Sequence, residues 1–425
     1  MIEDKDLEAE FREESLIPQK TFFLKRTFTA LKYPNYRLWF WGQMTSLLGT
    51  WMQITALGFL VYDLTRSPVY LGYVGFASGL PTWMFMLFGG VIADRFHKRN
   101  VLLITQTAMM ALAAILALLT FLEVINPWEI IALAFLLGVA NSFDAPSRVS
   151  LVNELVPKED ITNAIALNAT LFNTASATGP AIAGITYALA GPAWCFTINA
   201  VSFLGVIAAL RKMKLDKVKK ARSGSSAYGE LKVGIKYAFN NKVVRTLILC
   251  VGTMSLFGIS VVTLFPAWAV KVLNGDAATN GFLQSARGIG ALTAAITIAS
   301  LGRFKFKGKL FSAGFSVFPL LMFIFSFTKW LPFSLIALFG LGFSIILTMN
   351  IANALVQTHV PDNIRGRVMG VYTFTFFGIM PVGALMMGSF AGKFGEPEAI
   401  LISSVVVFVI SLLVYFFAPH IRRLE

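Results

Sequence analysis

The chain has 425 residues, of which 56% are hydrophobic and 14% charged, and its mean hydropathy is +0.70. Soluble domains carry nearer about 25% charged residues, so the composition excludes an ordinary soluble enzyme and indicates a membrane protein. The formal charge of +14 would suggest nucleic-acid binding in a soluble domain. Here it has to be read through the loops, because cytoplasmic loops of membrane proteins collect Lys and Arg.

The first 36 residues read as a cytoplasmic segment. Their acidic start (Glu3, Asp4, Asp6, Glu8, Glu10) lacks a basic region followed by an apolar core, so no cleavable signal peptide is expected. Phe22 to Tyr36 mixes Phe22, Phe23 and Leu24 with Lys25, Arg26 and Lys32, which suits a membrane-surface segment. A bilayer needs about 20 apolar residues per helix. Twelve stretches qualify: 37–62, 69–93, 100–122, 128–150, 161–189, 192–210, 243–271, 279–301, 310–328, 331–356, 365–390 and 396–418. They are numbered here as spans 1 to 12.

Span 1 carries Gln43, Ser46, Thr50 and Gln53 at three- and four-residue steps, which puts all four on one face. In lipid such a stripe must look inward, as helix–helix glue or as the wall of a transport path. Span 2 ends in Gly90-Val91-Ile92-Ala93-Asp94-Arg95-Phe96-His97-Lys98-Arg99. An acid at a helix C-terminus opposes the helix dipole unless cations or another helix's N-terminus compensate it. Arg95, Lys98 and Arg99 are local cations, while Arg365 and Arg367 at the start of span 11 offer both charge and a helix end. Asp94 with Arg365 therefore reads as a latch between halves. Span 4 holds Asn141, Asp144 and Arg148; the last two are four residues apart and can pair. Asp144 reads as a gate element or as the proton-coupling carboxylate, with Glu154 in the next loop as the other candidate. Span 5 contains Thr178-Gly179-Pro180-Ala181-Ile182-Ala183-Gly184, a kink site among small residues that allow close helix contact.

Residues 211–242 form a basic linker that divides the spans six and six, and Tyr228 to Phe239 reads as an amphipathic helix on the membrane surface. Arg287 in span 8 lies about eight residues from the outer end, ~12 Å deep. It would meet either an anionic substrate or an acid such as Asp63. Asn350 and Asn353 in span 10 read like the span 1 stripe. Residues 419–425 complete the chain as a tail.

Two internal echoes lie about half a chain apart. Ala93-Asp94-Arg95-Phe96 after span 2 answers Leu301-Gly302-Arg303-Phe304 after span 8, and Val156-Pro157 answers Val360-Pro361. Two similar six-helix bundles, 37–210 and 243–418, around a central path are the architecture of alternating-access transporters. With both termini inside, the cytoplasmic segments hold 30 of the 36 Lys and Arg residues, and the outer loops only Arg66, Lys271, Lys329 and Lys393. The asymmetry fixes the orientation and accounts for the charge without nucleic acid.

No cofactor or metal is expected. Cys195 and Cys250 fall in apolar runs, and His97, His359 and His420 form no ligand spacing. The nearest approach to a phosphate loop, Gly302 to Leu310, has the wrong spacing and lacks the magnesium-binding Ser or Thr. Energy must then come from an ion gradient or from the substrate's own gradient.

Gly90-x-x-x-Asp94-Arg95-x-x-Lys98-Arg99 resembles the loop 2–3 signature of the major facilitator superfamily, and Gly179-Pro180-Ala181-Ile182-Ala183-Gly184 resembles the span 5 motif of its exporters. Tyr36-Arg37-Leu38-Trp39, Gly49-Thr50-Trp51-Met52-Gln53, Phe143-Asp144-Ala145-Pro146-Ser147-Arg148, Asn153-Glu154-Leu155-Val156-Pro157 and Asn163-Ala164-Ile165-Ala166-Leu167-Asn168 are similar to the transmembrane secretion effector branch, which includes the enterobactin exporter and macrolide efflux relatives. The resemblance implies proton-driven export of a small molecule from a bacterial cytoplasm across the inner membrane.

The expectation is thus an all-α membrane protein with twelve spans, a proton-coupled antiporter for an amphipathic drug- or siderophore-like molecule, monomeric and without enzymatic activity. A lipid or lysolipid translocator of the same fold is the first rival, and a polytopic membrane enzyme or sensor the second. The expected gate comprises Gly90, Asp94, Arg95, Lys98, Arg99, Asp144, Arg148, Arg365 and Arg367. The expected path comprises Gln43, Ser46, Thr50, Gln53, Asn141, Arg287, Asn350 and Asn353, with Gly179, Pro180 and Gly184 as packing residues.

Overall fold

The structure, a computed structural model, describes residues 28–213, 227–302 and 305–424, and leaves the side chains of Met86, Leu87, Val91, Ala93, Asp94 and residues 227–231 undescribed. The acidic N-terminal residues, the basic run 214–226 and the echoing Arg303 and Phe304 lie outside the described residues.

Long helices follow one another as the apolar runs require: Pro34–Thr65, Pro68–Arg95, Lys98–Phe121, Pro127–Val152, Ile161–Ala190 and Pro192–Lys212 form spans 1 to 6. Span 7 runs from Lys242 to Val272, and spans 8 to 12 are Ala277–Leu301, Lys307–Ser326, Leu331–His359, Asp362–Phe394 and Glu396–Phe417. Ten of the described helices are long and apolar enough to cross a bilayer on those grounds alone. The other two are spans 2 and 5, and span 5 carries polar Thr170 and Asn173 on a face turned to the interior cavity. Large apolar side chains such as Ile104, Leu189 and Phe417 point outward, as lipid-facing positions do.

Helix starts obey local chemistry. Proline occupies the first turn of spans 1, 2, 4 and 6 (Pro34, Pro68, Pro127, Pro192), where its missing N–H is no loss. Asn126 with Glu129 and Asp276 with Thr279 form reciprocal caps for spans 4 and 8. Gly191 (φ 89°) and Gly395 (φ 99°) make the tight turns between spans 5 and 6 and between spans 11 and 12, a conformation costly for any other residue.

Packing repeats between halves. Span 1 lies on span 6, span 2 on span 4, and span 3 on spans 4 and 6; correspondingly span 7 touches span 12, span 8 lies on span 10, and span 9 on spans 10 and 12. Two pseudo-symmetric six-helix bundles result, joined by the crosswise pairs 2–11 and 5–8. The second half has one large core rich in Phe311, Phe315, Phe318 and Phe325, whereas the first half's core is divided among smaller clusters.

Three features depart from the sequence expectation. Span 7 is not a uniform helix: an α-helix Lys242–Thr253 passes through a π turn Met254–Gly258, a 3₁₀ stretch Ile259–Leu264 and a second π turn Trp268–Val272. Pro266 removes a backbone donor there, and the chain changes its hydrogen-bond register on both sides. Second, no continuous surface helix covers the described part of Phe22 to Tyr36: Thr29–Lys32 is one 3₁₀ turn, and Pro34 already begins span 1. That turn is fastened to the loop before span 5, where the Tyr33 hydroxyl donates to Asp160 at 2.6 Å and Lys32 lies 3.1 Å from the same oxygen. Third, Gly90 has open space beside it, and the close contact with span 4 belongs to Gly89, where a Cβ would lie 2.3 Å from the Ser142 carbonyl. The linker helix is present as Ala227–Asn240. It lies on span 11, with Gly234 against the Arg367 carbonyl.

Candidate functional site

Between the halves lies a cavity of about 1040 Å³. Its ends are distinguished by their chemistry. The basic end carries both described termini and the loops with Lys98, Arg99 and Arg365; the far end carries the short turns at Arg66, Gly191 and Gly395.

Contacts between halves concentrate at the far end. Gly72 meets Ala384 and Gly388, and Gly79 meets Pro381, so backbones of spans 2 and 11 nearly touch. The Trp83 indole donates to the Gly378 carbonyl across the same seam. In the second seam, a Cβ on Gly281 would sit 2.4 Å from the Pro180 carbonyl, and one on Gly288 2.5 Å from the Ser176 carbonyl. Gly184 faces Ala277, and the Ala181 amide donates to Ser285 Oγ at 2.9 Å. Pro180 and Gly184 thus stand in the inter-half seam, while Gly179 packs against Trp51 of span 1. Ala267 of span 7 completes the closure by joining Leu57, Leu60 and Tyr62 in one apolar cluster.

All eight expected path residues, Gln43, Ser46, Thr50, Gln53, Asn141, Arg287, Asn350 and Asn353, border the cavity. The local reason is visible in span 1. Gly42 and Gly49 lie against span 6, whose backbone comes within about van der Waals range of them, and this turns the neighbouring Gln43, Ser46, Thr50 and Gln53 inward. Gln53 accepts from Asn199 Nδ2 at 2.7 Å, Thr50 donates to the Ser46 carbonyl at 2.8 Å, and Gln43 Oε1 is buried with no partner among the described residues.

The expected gate residues do not form one cluster. Asp144 is fully buried and accepts from Thr105 Oγ1 and Gln106 Nε2, each at 2.8 Å, and from Arg148 Nε at 3.1 Å. Arg148 also borders the cavity, so it stands between the carboxylate and the open space. Lys98 lies 2.6 Å from Glu154 within the first half. Arg99 donates to the Arg211 carbonyl at 2.9 Å and to that of Met213, capping the end of span 6. Arg95 is exposed. Arg365 pairs with Asp362 of its own helix and reaches the Val360 carbonyl at 3.4 Å. The Asp94 side chain lies outside the described residues, so only the Arg365 side of the expected latch is seen. The alternative partner for Arg287 is not available either: Asp63 pairs with Arg66 at 2.7 Å.

Comparison with known proteins bears on the family and the fold. Residues 25–423 match the transmembrane secretion effector family. The chain belongs to that family of major facilitator transporters, and it is a membrane transporter, not an enzyme. It is 27% identical over 386 residues to the staphyloferrin A transporter of Staphylococcus aureus, covering 87% of this chain and 92% of that protein. It is 22% identical to macrolide efflux protein A of Streptococcus pyogenes, covering 90% and 96%. A crystal structure of a POT family transporter in complex with a thioalcohol-conjugated peptide superposes with a TM-score of 0.73 at 13% identity, over 91% of this chain and 96% of that one, which shows the shared fold.

Several cavity residues of this transporter had no signal in the sequence. Gln106 of span 3, which borders the cavity, donates to Asp144 beside Thr105, and Asn173, Asn199, Gln284 and Tyr372 border the same space. Single polar residues on long apolar helices mark an inward face, but only a repeated stripe such as that of span 1 announces it.

Proposed function

We propose that the protein is a secondary active exporter of an amphipathic small molecule from the bacterial cytoplasm, exchanging cargo for protons by alternating access. The observation that carries this reading is a cavity between two similar halves, apolar over most of its wall with polar side chains set into it, and with the contacts that join the halves placed at the far end. The excess of Lys and Arg at the basic end supports a cytoplasmic placement of that end and of both termini. The chain then faces inward, ready to load cargo. Its names among relatives, a siderophore transporter and a macrolide efflux protein, support export of a drug- or siderophore-like cargo across the inner membrane.

Closing the basic end would bring the span 2 and span 11 ends together, allowing Asp94 to meet Arg365 once Arg365 leaves Asp362. Asp144 is the stronger proton-coupling candidate. Its partner Arg148 borders the cavity, whereas Glu154 is engaged by Lys98 in the loops.

The test is uptake into inverted vesicles or proteoliposomes with an acidic lumen and no nucleotide. Concentrative uptake that collapses with the pH gradient is expected. Uptake requiring nucleotide, or indifferent to every ion gradient, refutes the proposal.

A further inference from the structure

Arg287 lies ten residues into span 8, about 15 Å from the far end at 1.5 Å per residue. Its backbone is fixed by span 10: a Cβ on Gly342 would lie 1.9 Å from the Arg287 carbonyl oxygen, and one on Gly290 1.9 Å from that of Phe339. The side chain borders the cavity, and its Nε is buried without a hydrogen-bond partner among the described residues. None of the described salt bridges includes it.

The cavity's other lining cation, Arg148, is neutralised by Asp144. No Asp or Glu borders the cavity among the described residues. The lining therefore carries one net positive charge, concentrated on Arg287. A guanidinium held at membrane depth without a counter-charge is costly and persists where a function uses it. Its planar fork of N–H donors matches two oxygens of a carboxylate or phosphate. The same cavity is lined by the amides of Asn173 and Asn350 and by the aromatic rings of Trp51, Phe376 and Phe377.

We propose that the cargo is an amphipathic anion whose carboxylate or phosphate oxygens seat on Arg287, and that the cavity selects against cationic and esterified forms of the same scaffold. The proposal rests on the exporter reading above and narrows it to a charge class.

The test uses full-length protein in nanodiscs with three matched probes: a coumarin carboxylate, its ethyl ester and an aminomethyl coumarin. Binding is read by energy transfer from the tryptophans. The carboxylate should bind the wild type about tenfold tighter than either analogue, a difference of about 1.4 kcal/mol. Arg287→Gln should abolish that preference, and Arg287→Lys should keep part of it, since a point charge lacks the fork. Equal binding of the three probes by the wild type, failure of the carboxylate to bind, or a preference that survives in Arg287→Gln overturns the proposal. If Arg287→Gln does not fold, the wild-type ranking and the Arg287→Lys variant decide it. Competition by citrate but not by lysophosphatidate would place the oxygens on a free carboxylate; the reverse would place them on a lipid phosphate, and displacement by neither overturns the anion site. Gradient-driven uptake of the ester or amine without carboxylate preference would sink the charge class and leave the exporter standing. Carboxylate binding without any gradient-driven flux would do the opposite.

Discussion

Replacing Gly281 with alanine should shift the protein out of the far-end-closed state. The added Cβ would lie 2.4 Å from the Pro180 carbonyl oxygen, 3.0 Å from Gly184 Cα and 3.2 Å from Gly184 N. All three obstacles are backbone, so no side chain can swing aside, and relief requires spans 5 and 8 to part by about 1 Å at this crossing. Overpacking of a tight helix contact costs about 1–3 kcal/mol. The open-far-end state is free of this clash, so the closed state loses population by about 5- to 150-fold relative to it. Spin labels on the far-end turns of spans 5 and 8, read by pulsed distance measurement in nanodiscs, would show the change as a longer-distance population. Accessibility of an engineered cysteine at Thr50 to an impermeant maleimide from the far side gives a second readout; Cys195 and Cys250 are buried and should stay silent. An unchanged distance distribution and unchanged labelling in a folded Gly281→Ala protein would show that the seam does not hold the far end shut.

Asp144→Asn keeps acceptors for Thr105 and Gln106 but strands the Arg148 charge, so thermal stability should fall by about 3 kcal/mol. The double variant Asp144→Asn, Arg148→Met should recover most of that loss, and a double variant no better than the single one would mean the pair is not the source. Asp160 is held below the usual carboxylate range by the Tyr33 hydroxyl and then by Lys32. A depressed native pKa contributes stability above the unfolded value, lost as pH falls through the lowered one. Docking of residues 28–33 should therefore be insensitive to pH above about 5 and loosen in more acid solution. Pepsin nicking near Phe28 reports it, and Tyr33→Phe should move the onset of cleavage to higher pH; an unmoved onset would remove Tyr33 from the account.

Much of the fold was legible because lipid enforces simple rules. Polar residues at helical steps on span 1 had to face inward, and they border the cavity. The half-chain echo of loop residues corresponds to packing repeated helix for helix. What stayed hidden is set by tertiary contact. Nothing in the sequence tied Gln106 to Asp144, since neighbouring spans have no fixed azimuth until they pack. The broken span 7 reads as uniformly apolar, with only Pro266 to mark it. Gly89 and Gly90 are equivalent to the eye, and only the position of span 4 decides which one needs to lack a side chain. The fate of Arg287 turned on Asp63, whose nearer partner Arg66 sits across a three-residue step.

The two seams have a consequence for how the transporter senses its surroundings. Between spans 2 and 11 and between spans 5 and 8 they are built from glycine, proline and backbone carbonyls, with no ion pair spanning either among the described contacts. At these two seams closure is decided by shape, so ionic strength should scarcely touch them; a charged contact between the halves on that side is at spans 1 and 7, where Lys271, paired with Glu396, also meets the Tyr62 hydroxyl. The opposite side is dressed in Lys98, Arg99, Arg365 and their acids, whose attraction falls off over a Debye length of about 8 Å at physiological salt. On the exporter reading proposed above, salt and anionic lipid headgroups therefore act more on the basic end than on these two seams, and a membrane rich in acidic lipid would bias how long the basic end stays open more than how tightly the seams shut.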